Sequence, residues 1–388
     1  MLSTEDNETI TRVGPGTPMG ELMRQYWVPA LASSELPAPD GPPVRVKLLG
    51  EELIAFRDST GAIGLLGNHC PHRGASLFFG RNEEAGLRCV YHGWKFDVNG
   101  ACVDMPNEPP ESSFKSKVRP TAYPCRERGG VVWTYMGPRS APPPMPDIEP
   151  NMVPDGFYSV GVTMRNCNWL QGIEGDIDTS HLQILHQGSE KAESVRLGTM
   201  NYYGLADRAP RYRVVDTPGG TMYGAYRPAG DDRHYWRIAH FLFPFYSLIP
   251  TGLLGHQVQV RAWVPLDDEH MMFFSMSKRA PTGGLATGTD GGGQLRAGTP
   301  DGRTAPGGLR YQPNGTGWYG RFNLVQSKEN DYLIDREKQR THQSYTGVEG
   351  IPGTGRSRDR GYGDHRRPER RAPRQQRRHD HPHPPSTP

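Results

Sequence analysis

Four residues between positions 70 and 92 could do chemistry together. Cys70-Pro71-His72 and Cys89-Val90-Tyr91-His92 each couple one thiol to one imidazole, and sixteen residues separate the pairs. Two thiolates and two imidazoles have two natural uses. One is a structural zinc site, which prefers tetrahedral sulfur and nitrogen ligation. The other is a [2Fe–2S] cluster with two Cys on one iron and two His on the other. The spacing favours the second. A Cys-x-His loop offers one sulfur and one nitrogen, one for each iron. The Cys-x-x-His loop repeats the offer from the other side. Scattered core residues would not fall into two matched motifs flanked by Arg73-Gly74 and Gly93-Trp94.

A second group lies downstream. The stretch NCNWLQGIEGDIDTSHLQILH (166–186) supplies Glu174, Asp176, Asp178, His181 and His186. A lone histidine on an apolar helix is usually a core residue, but two beside three carboxylates are different. Asp178 and His181 are i,i+3 and would share a helix face. His181 and His186 are i,i+5 and would not. Both reach one metal only if the helix widens or ends there, as in a π-turn.

Elements must position these groups. Residues 16–30 have the pattern of a helix, with Thr17 as N-cap and Pro18 at the first helical position. From 43 to 137 the chain is short β-runs broken by Gly, Asn and Pro, with Asn99-Gly100 as a hairpin turn. The Pro-rich stretch near 138–150 suits neither helix nor central strand and reads as a linker. Beyond it the patterns predict a strand at 159–165, a helix at 168–187, and strands at 200–204, 221–227, 234–249 and 256–264. Residues 281–318 are Gly- and Thr-rich and read as a long flexible loop, and 321–340 has the charge pattern of an amphipathic helix. The domain plan is an N-terminal helical segment (1–40), an all-β domain (41–140), a linker (141–158), a second domain (159–351) and a tail (352–388).

The bulk properties exclude several classes. The chain has 388 residues, 35% hydrophobic and 22% charged, and no apolar run near the roughly 18 residues a membrane helix needs. The N-terminus shows no secretory signal, so cytoplasm is the default. Five cysteines (70, 89, 102, 125, 167) read as metal ligands or buried thiols rather than disulfides. The net charge of +3 is carried by the tail. Residues 353–388 hold ten Arg and four acidic residues, +6, which leaves −3 for the rest. The body therefore reads as neither a nucleic-acid nor a membrane binder.

CPHRG with CVYHGW resembles the signature of the Rieske proteins, specifically the non-haem iron ring-hydroxylating oxygenases. Neither loop carries the extra cysteine of the respiratory Rieske proteins. The 166–186 stretch is similar to the mononuclear-iron motif of the same oxygenases. RVGPGTPMGELMRQYWVPA, LRCVYHGWKFDVNG and ENDYLIDREKQR give the chain the flavour of the phthalate 4,5-dioxygenase and aryl O-demethylase branch. The resemblance implies an α+β fold: an all-β Rieske domain, then a helix-grip domain of antiparallel sheet and helices. It implies Cys70, His72, Cys89 and His92 as cluster ligands, His181 and His186 as iron ligands, and Asp178 as a carboxylate bridging subunits. Gly74 and Gly93 would let the backbone approach the cluster sulfurs and donate N–H bonds to them, and Trp94 would pack beneath the second loop. Two His and one carboxylate on one face of Fe(II) leave positions for O₂ and substrate.

The same resemblance implies a head-to-tail homotrimer or hexamer, because the two metals of one subunit are too far apart for electron transfer. It also implies a separate NAD(P)H-dependent flavin and ferredoxin reductase, and an aromatic, often carboxylated, substrate. Arg208, Arg211, Arg213, Arg227 and Arg237 are candidates to hold a carboxylate.

The tail departs from the family. After Tyr345–Ile351 the family continues Gln-Asp-x-Ala-Val-x-Glu-x-Met-Gly, and that Asp resembles the third iron ligand. Here the chain reads PGTGRSRDRGYGDHRRPERRAPRQQRRHDHPHPPSTP. A disordered basic tail is one reading. A shifted reading frame fits better: Tyr362-Gly363 as TAT-GGN hides Met-Gly one frame over. The DNA around the codon for Pro352 tests this, and a frame giving no such continuation would sink it. As written, the third carboxylate is unknown, with Asp331, Asp335 and Asp359 as substitutes at non-matching positions. The alternative function is then an impaired iron–sulfur protein that lacks its third iron ligand.

Overall fold

The computed structural model describes residues 2–186, 188, 190–250, 258–278 and 310–348. The predicted tail at 352–388 and most of the predicted loop at 281–318 lie outside them.

The N-terminal third is built from three small antiparallel sheets. Strands Val44–Leu48, Glu51–Arg57 and Ile63–Gly67 form one, and four short strands between Arg81 and Asp104 form another. Trp27–Ala32 pairs with Val131–Tyr135, which pairs with Cys125–Arg128. The predicted helix at 16–30 therefore ends early. Thr17 caps it and Pro18 opens it, but it stops at Arg24. Every residue of Trp27–Ala32 is buried, because the aromatic and β-branched run finds a strand partner. Asn99-Gly100 makes the expected tight turn, closed by Gly100 N–H donating to Asp97 O at 3.0 Å.

The second part is a seven-stranded antiparallel sheet. Its order is Tyr158–Arg165, Met271–Lys278, Gln259–Pro265, Tyr246–Leu248, His234–Leu242, Gly220–Pro228 and Arg211–Thr217. The helix Trp169–Ile177 packs on it, capped by Asn168, whose Oδ1 accepts from Leu170 N–H at 2.9 Å. This is the predicted combination of an all-β domain and a helix-bearing antiparallel sheet.

Three expectations need correction. Residues 200–204 are not a strand but part of the helix Met200–Ala206, because Thr199 caps it by accepting from Tyr202 N–H. The helix expected at 321–340 is broken. Asp331, Tyr332 and Leu333 have left-handed φ, so only a 3-10 segment and the short helix Arg336–Arg340 form. The end of the predicted loop is docked rather than flexible: Tyr311 is buried and its hydroxyl donates to Val162 O at 2.6 Å.

The two parts share one core. Buried residues from Trp27 and Trp133 run continuously to Trp263 and Phe274. Gly50 N–H donates to Leu266 O at 2.8 Å, and the buried pair Arg321–Glu35 ties residues 286 apart. The Pro-rich stretch is strapped down, with Trp27 Nε1 donating to Pro143 O at 2.7 Å. Among the described residues no helix is long and apolar enough to cross a membrane.

Candidate metal centres

The first centre is made by two loops with the same internal wiring. Cys70 N–H donates to Ala75 O and Gly74 N–H to Cys70 O, at 2.8 and 2.9 Å. Cys89 N–H donates to Trp94 O and Gly93 N–H to Cys89 O, at 2.8 and 3.0 Å. Each turn closes only because its glycine sits at positive φ, +72° at Gly74 and +75° at Gly93.

The two loops bring all four predicted ligands together. Cys70 and Cys89 are buried, and the His72 and His92 rings lie 4.3 Å apart between centroids. Burial pushes the Cys70 thiol up to about 11, and the neighbouring Cys89 adds to this. Trp94, whose carbonyl closes the second loop, also supports the first: its ring stacks on His72 at 4.3 Å and 9°. Its own Nε1 donates to Asn107 Oδ1 at 2.7 Å. Among the described residues, His72 Nδ1 is buried with no hydrogen-bond partner. A buried imidazole nitrogen is normally satisfied, so this orphan atom fits an iron ligand. Two soft thiols and two imidazoles facing one another are the donor set of a [2Fe–2S] centre with mixed ligation. The other cysteines take no part. Cys102 and Cys167 are buried, Cys125 is half-buried, and none of the five forms a disulfide.

The second centre depends on how the site helix ends. That helix stops at Ile177, and Asp178 is its extended C-cap. Residues Leu182–His186 then form a π-turn. One continuous helix would have carried His181 and His186 to different sides. Here their Nε2 atoms lie 3.1 Å apart. Two nitrogens at right angles on one ion, each at about 2.1 Å, would be about 3.0 Å apart. The pair is spaced for a shared metal. Asp178 meets His181 across the turn, not along a helix face, with Oδ2 3.5 Å from His181 Nδ1. Its other oxygen, Oδ1, accepts from Ser180 N–H and Oγ–H at 2.8 and 2.5 Å.

The remaining carboxylates of the stretch do other work. Asp176 fastens the helix to the sheet. It accepts from Arg261 and from Ser247 Oγ–H, and Ser247 accepts from Trp263 Nε1 at 2.9 Å. Tyr223 Oη donates to Ile177 O, one residue before Asp178. No group of three or more His, Cys, Asp or Glu gathers around one ion among the described residues. A mixed-ligand cluster puts only two protein ligands on each iron, so the first centre does not call for one. At the second centre the search of the described residues gathers no third ligand with the two His. Asp335 is occupied as an N-cap, accepting from Lys338 N–H at 2.9 Å. Asp359 lies outside the described residues. Tyr345 packs against Gly188, two residues past His186.

Five arginines were candidates for a carboxylate, and the structure separates them. Arg208 donates to Gly188 O and Glu190 O, Arg211 pairs with Asp207, and Arg213 is exposed. Arg227 and Arg237 are buried, at 0% and 5% exposure. Both come from neighbouring strands, where Ala225 faces Arg237 and Arg227 faces Tyr235. Alternation puts them on the face that carries Tyr223, toward the site helix. Among the described residues, Arg237 Nε and Nη1 and Arg227 Nη1 are buried without hydrogen-bond partners. Burial lowers both guanidinium pKa values from the usual range, and neither loses its proton.

Comparisons with known proteins identify relatives of the chain. The family model described as the Rieske [2Fe-2S] domain matches residues 26–120. The model described as LigXa C-terminal domain like matches 134–289. The 3-chlorobenzoate-3,4-dioxygenase oxygenase subunit of Comamonas testosteroni is 48% identical over 357 residues, covering 90% of this chain and 80% of that relative. The phthalate 4,5-dioxygenase oxygenase subunit of Pseudomonas putida is 36% identical, covering 91% and 77%. The 5,5'-dehydrodivanillate O-demethylase oxygenase subunit of Sphingobium sp. (strain NBRC 103272 / SYK-6) is 41% identical over 278 residues, covering 70% and 62%. Among solved structures, dicamba monooxygenase bound to 3,6-dichlorosalicylic acid superposes with a TM-score of 0.51 at 20% identity, over 66% of this chain and 78% of that one. The last likeness concerns the fold alone.

Proposed function

Because the chain belongs to the Rieske-type aromatic oxygenase subunits, we propose that it oxidises a carboxylated aromatic compound with O₂ at the His181–His186 centre. The observation that carries this reading is the 3.1 Å approach of the two Nε2 atoms across the π-turn. Cys70, His72, Cys89 and His92 would hold the [2Fe–2S] cluster, and His181 and His186 would hold the iron. When bound, the cluster supplies electrons one at a time and the iron supplies O₂ activation.

The rest of the reading concerns this chain's own residues. Asp178 Oδ2, 3.5 Å from His181 Nδ1, is placed to orient the His181 ring so that Nε2 is left for the metal. Ser180 occupies one Asp178 oxygen, and the side chain is 24% exposed. Asp178 is thus placed to accept a second imidazole N–H from His72 or His92 of a neighbouring copy. A head-to-tail contact of this kind closes into a ring, and three copies form the natural one. Arg237 lies on the sheet face toward the site helix, where its unpartnered N–H groups suit a carboxylate. Electrons come from a separate reductase, as in the multicomponent systems of the relatives.

The test is product formation. The full chain, loaded with Fe(II) and supplied with a reductase, is offered chlorobenzoates, phthalate and methoxylated aromatic acids. The reading predicts O₂ uptake matched by a hydroxylated or demethylated acid. Iron-loaded protein with a reducible cluster that converts none of them contradicts it.

A further inference from the structure

The π-turn needs something to hold it open, and two buried residues do so. Gln183 lies inside the turn and is 1% exposed. Its Oε1 accepts from Arg227 Nη2 at 2.8 Å. Arg227, fully buried, reaches the turn from a strand 44 residues away, and its Nε donates to Asp207 O at 2.7 Å. Asp207 is the C-cap of the helix Met200–Ala206. That helix also forms the floor beneath Gln183. A Cβ at Gly204 would fall 2.4 Å from Gln183 Nε2, so the glycine is what admits the amide. Sheet, helix and turn therefore meet at one amide group.

We propose that Gln183 and Arg227 are positioning residues for the mononuclear metal, holding the π-turn that makes His181 and His186 converge. The physical ground is the geometry of the alternative. In a regular α-helix, residues i and i+5 are about 140° apart around the axis and about 7.5 Å apart along it. Two imidazoles so placed do not share an ion. A wide turn is the rarer conformation and persists only where its surroundings over-determine it. Gln183 is the turn residue with a buried polar side chain, and Arg227 gives it a charge-assisted partner.

This inference rests on His181 and His186 being metal ligands, and the experiment separates the two claims. The full chain, stripped of its mononuclear metal but retaining the cluster, is titrated with Fe(II) alone under anaerobic conditions, in competition with a chelator. Gln183→Leu keeps the volume and removes the acceptor. It is expected to weaken Fe(II) binding by about 10–100-fold, the range for residues that orient metal ligands. The visible and EPR signature of the cluster stays unchanged. Gln183→Glu restores an acceptor to Arg227 and is expected to bind within about threefold of the parent, a rescue that loss of packing alone would not give. If Gln183→Leu fails to fold, the double variant Gln183→Leu/Arg227→Met removes the unpaired cation and must show the same weakening. Parent-like Fe(II) affinity in the folded leucine or double variant overturns the inference. So does a glutamate variant as weak as the leucine one. A parent chain whose Fe(II) binding is unaffected by His181→Ala overturns the metal site itself, and the inference with it.

Discussion

Replacing Gly93 by alanine is expected to harm the cluster centre more than the same change at Gly74. The two glycines have nearly equal φ, +75° and +72°, and each donates its N–H to the cysteine four residues before it. The left-handed conformation costs a residue with a Cβ about 1–2 kcal/mol at either position. The surroundings differ. A Cβ at Gly74 has nothing within 4 Å, whereas one at Gly93 would lie 2.6 Å from Pro106 Cγ. A proline ring cannot rotate away as a long side chain can, so the loop or Pro106 must shift. Overpacking of this kind adds about 1–3 kcal/mol. Gly74→Ala should therefore lose about 1–2 kcal/mol, and Gly93→Ala about 2–5 kcal/mol by adding the two terms. Chemical denaturation of the cluster-loaded protein, followed by the visible absorbance of the cluster, reads both. Equal losses, or a larger loss at Gly74, would refute the reasoning.

Three further outcomes follow from the same geometry. Asp178→Asn should leave the cluster reducible but slow product formation about 10–100-fold, since the charged contact that orients His181 is lost; turnover within twofold of the parent would contradict its role. Arg237→Met should raise KM for a carboxylated aromatic about 10–100-fold, from the roughly 1.5–3 kcal/mol of a hydrogen bond to a charged group, while kcat changes little; an unchanged KM would remove Arg237 from the substrate site. The third concerns acid stability. Burial alone would raise the Asp267 pKa, but bonds from His270, Tyr319 and Glu269 N–H outweigh it and hold the carboxyl at about 2, below its ordinary 3.8. A depressed carboxylate contributes stability above its unfolded pKa, and that contribution fades as pH falls from about 4 through about 2. Asp267→Asn should flatten this part of the stability–pH curve, and an unaltered slope between those values would show that Asp267 does not carry it.

Much of the site was legible because its signals are local. Cys70 to His72 and Cys89 to His92 are each contained in one turn, so spacing alone suggests two loops on one cluster. The i,i+5 relation of His181 and His186 demanded a distorted helix, and a π-turn is there. Signals that depend on distant partners were not readable. Nothing local marks Gln183, because its meaning comes from Arg227, 44 residues on. Asp176 lies two residues before Asp178, and its role of fastening the helix to the sheet comes from Arg261 and Ser247, far away in the sequence. Trp94 sits beside the second loop in sequence but stacks under His72 of the first. The errors in secondary structure share this origin. Tyr202 and Tyr203 favour a strand by propensity, yet the Thr199 cap places them in a helix. Residues 327–333 have helical charge spacing, yet the backbone of Asp331 and its neighbours turns left-handed.

The central claim is that one chain holds a cluster and a separate metal on His181 and His186. Iron and acid-labile sulfide, measured on the same purified sample after anaerobic loading with Fe(II), test it most directly. The account predicts about three iron atoms for every two sulfides, falling to about two when both histidines are replaced by alanine. Two iron atoms per two sulfides in the parent chain, with no change on replacing His181 and His186, would contradict it.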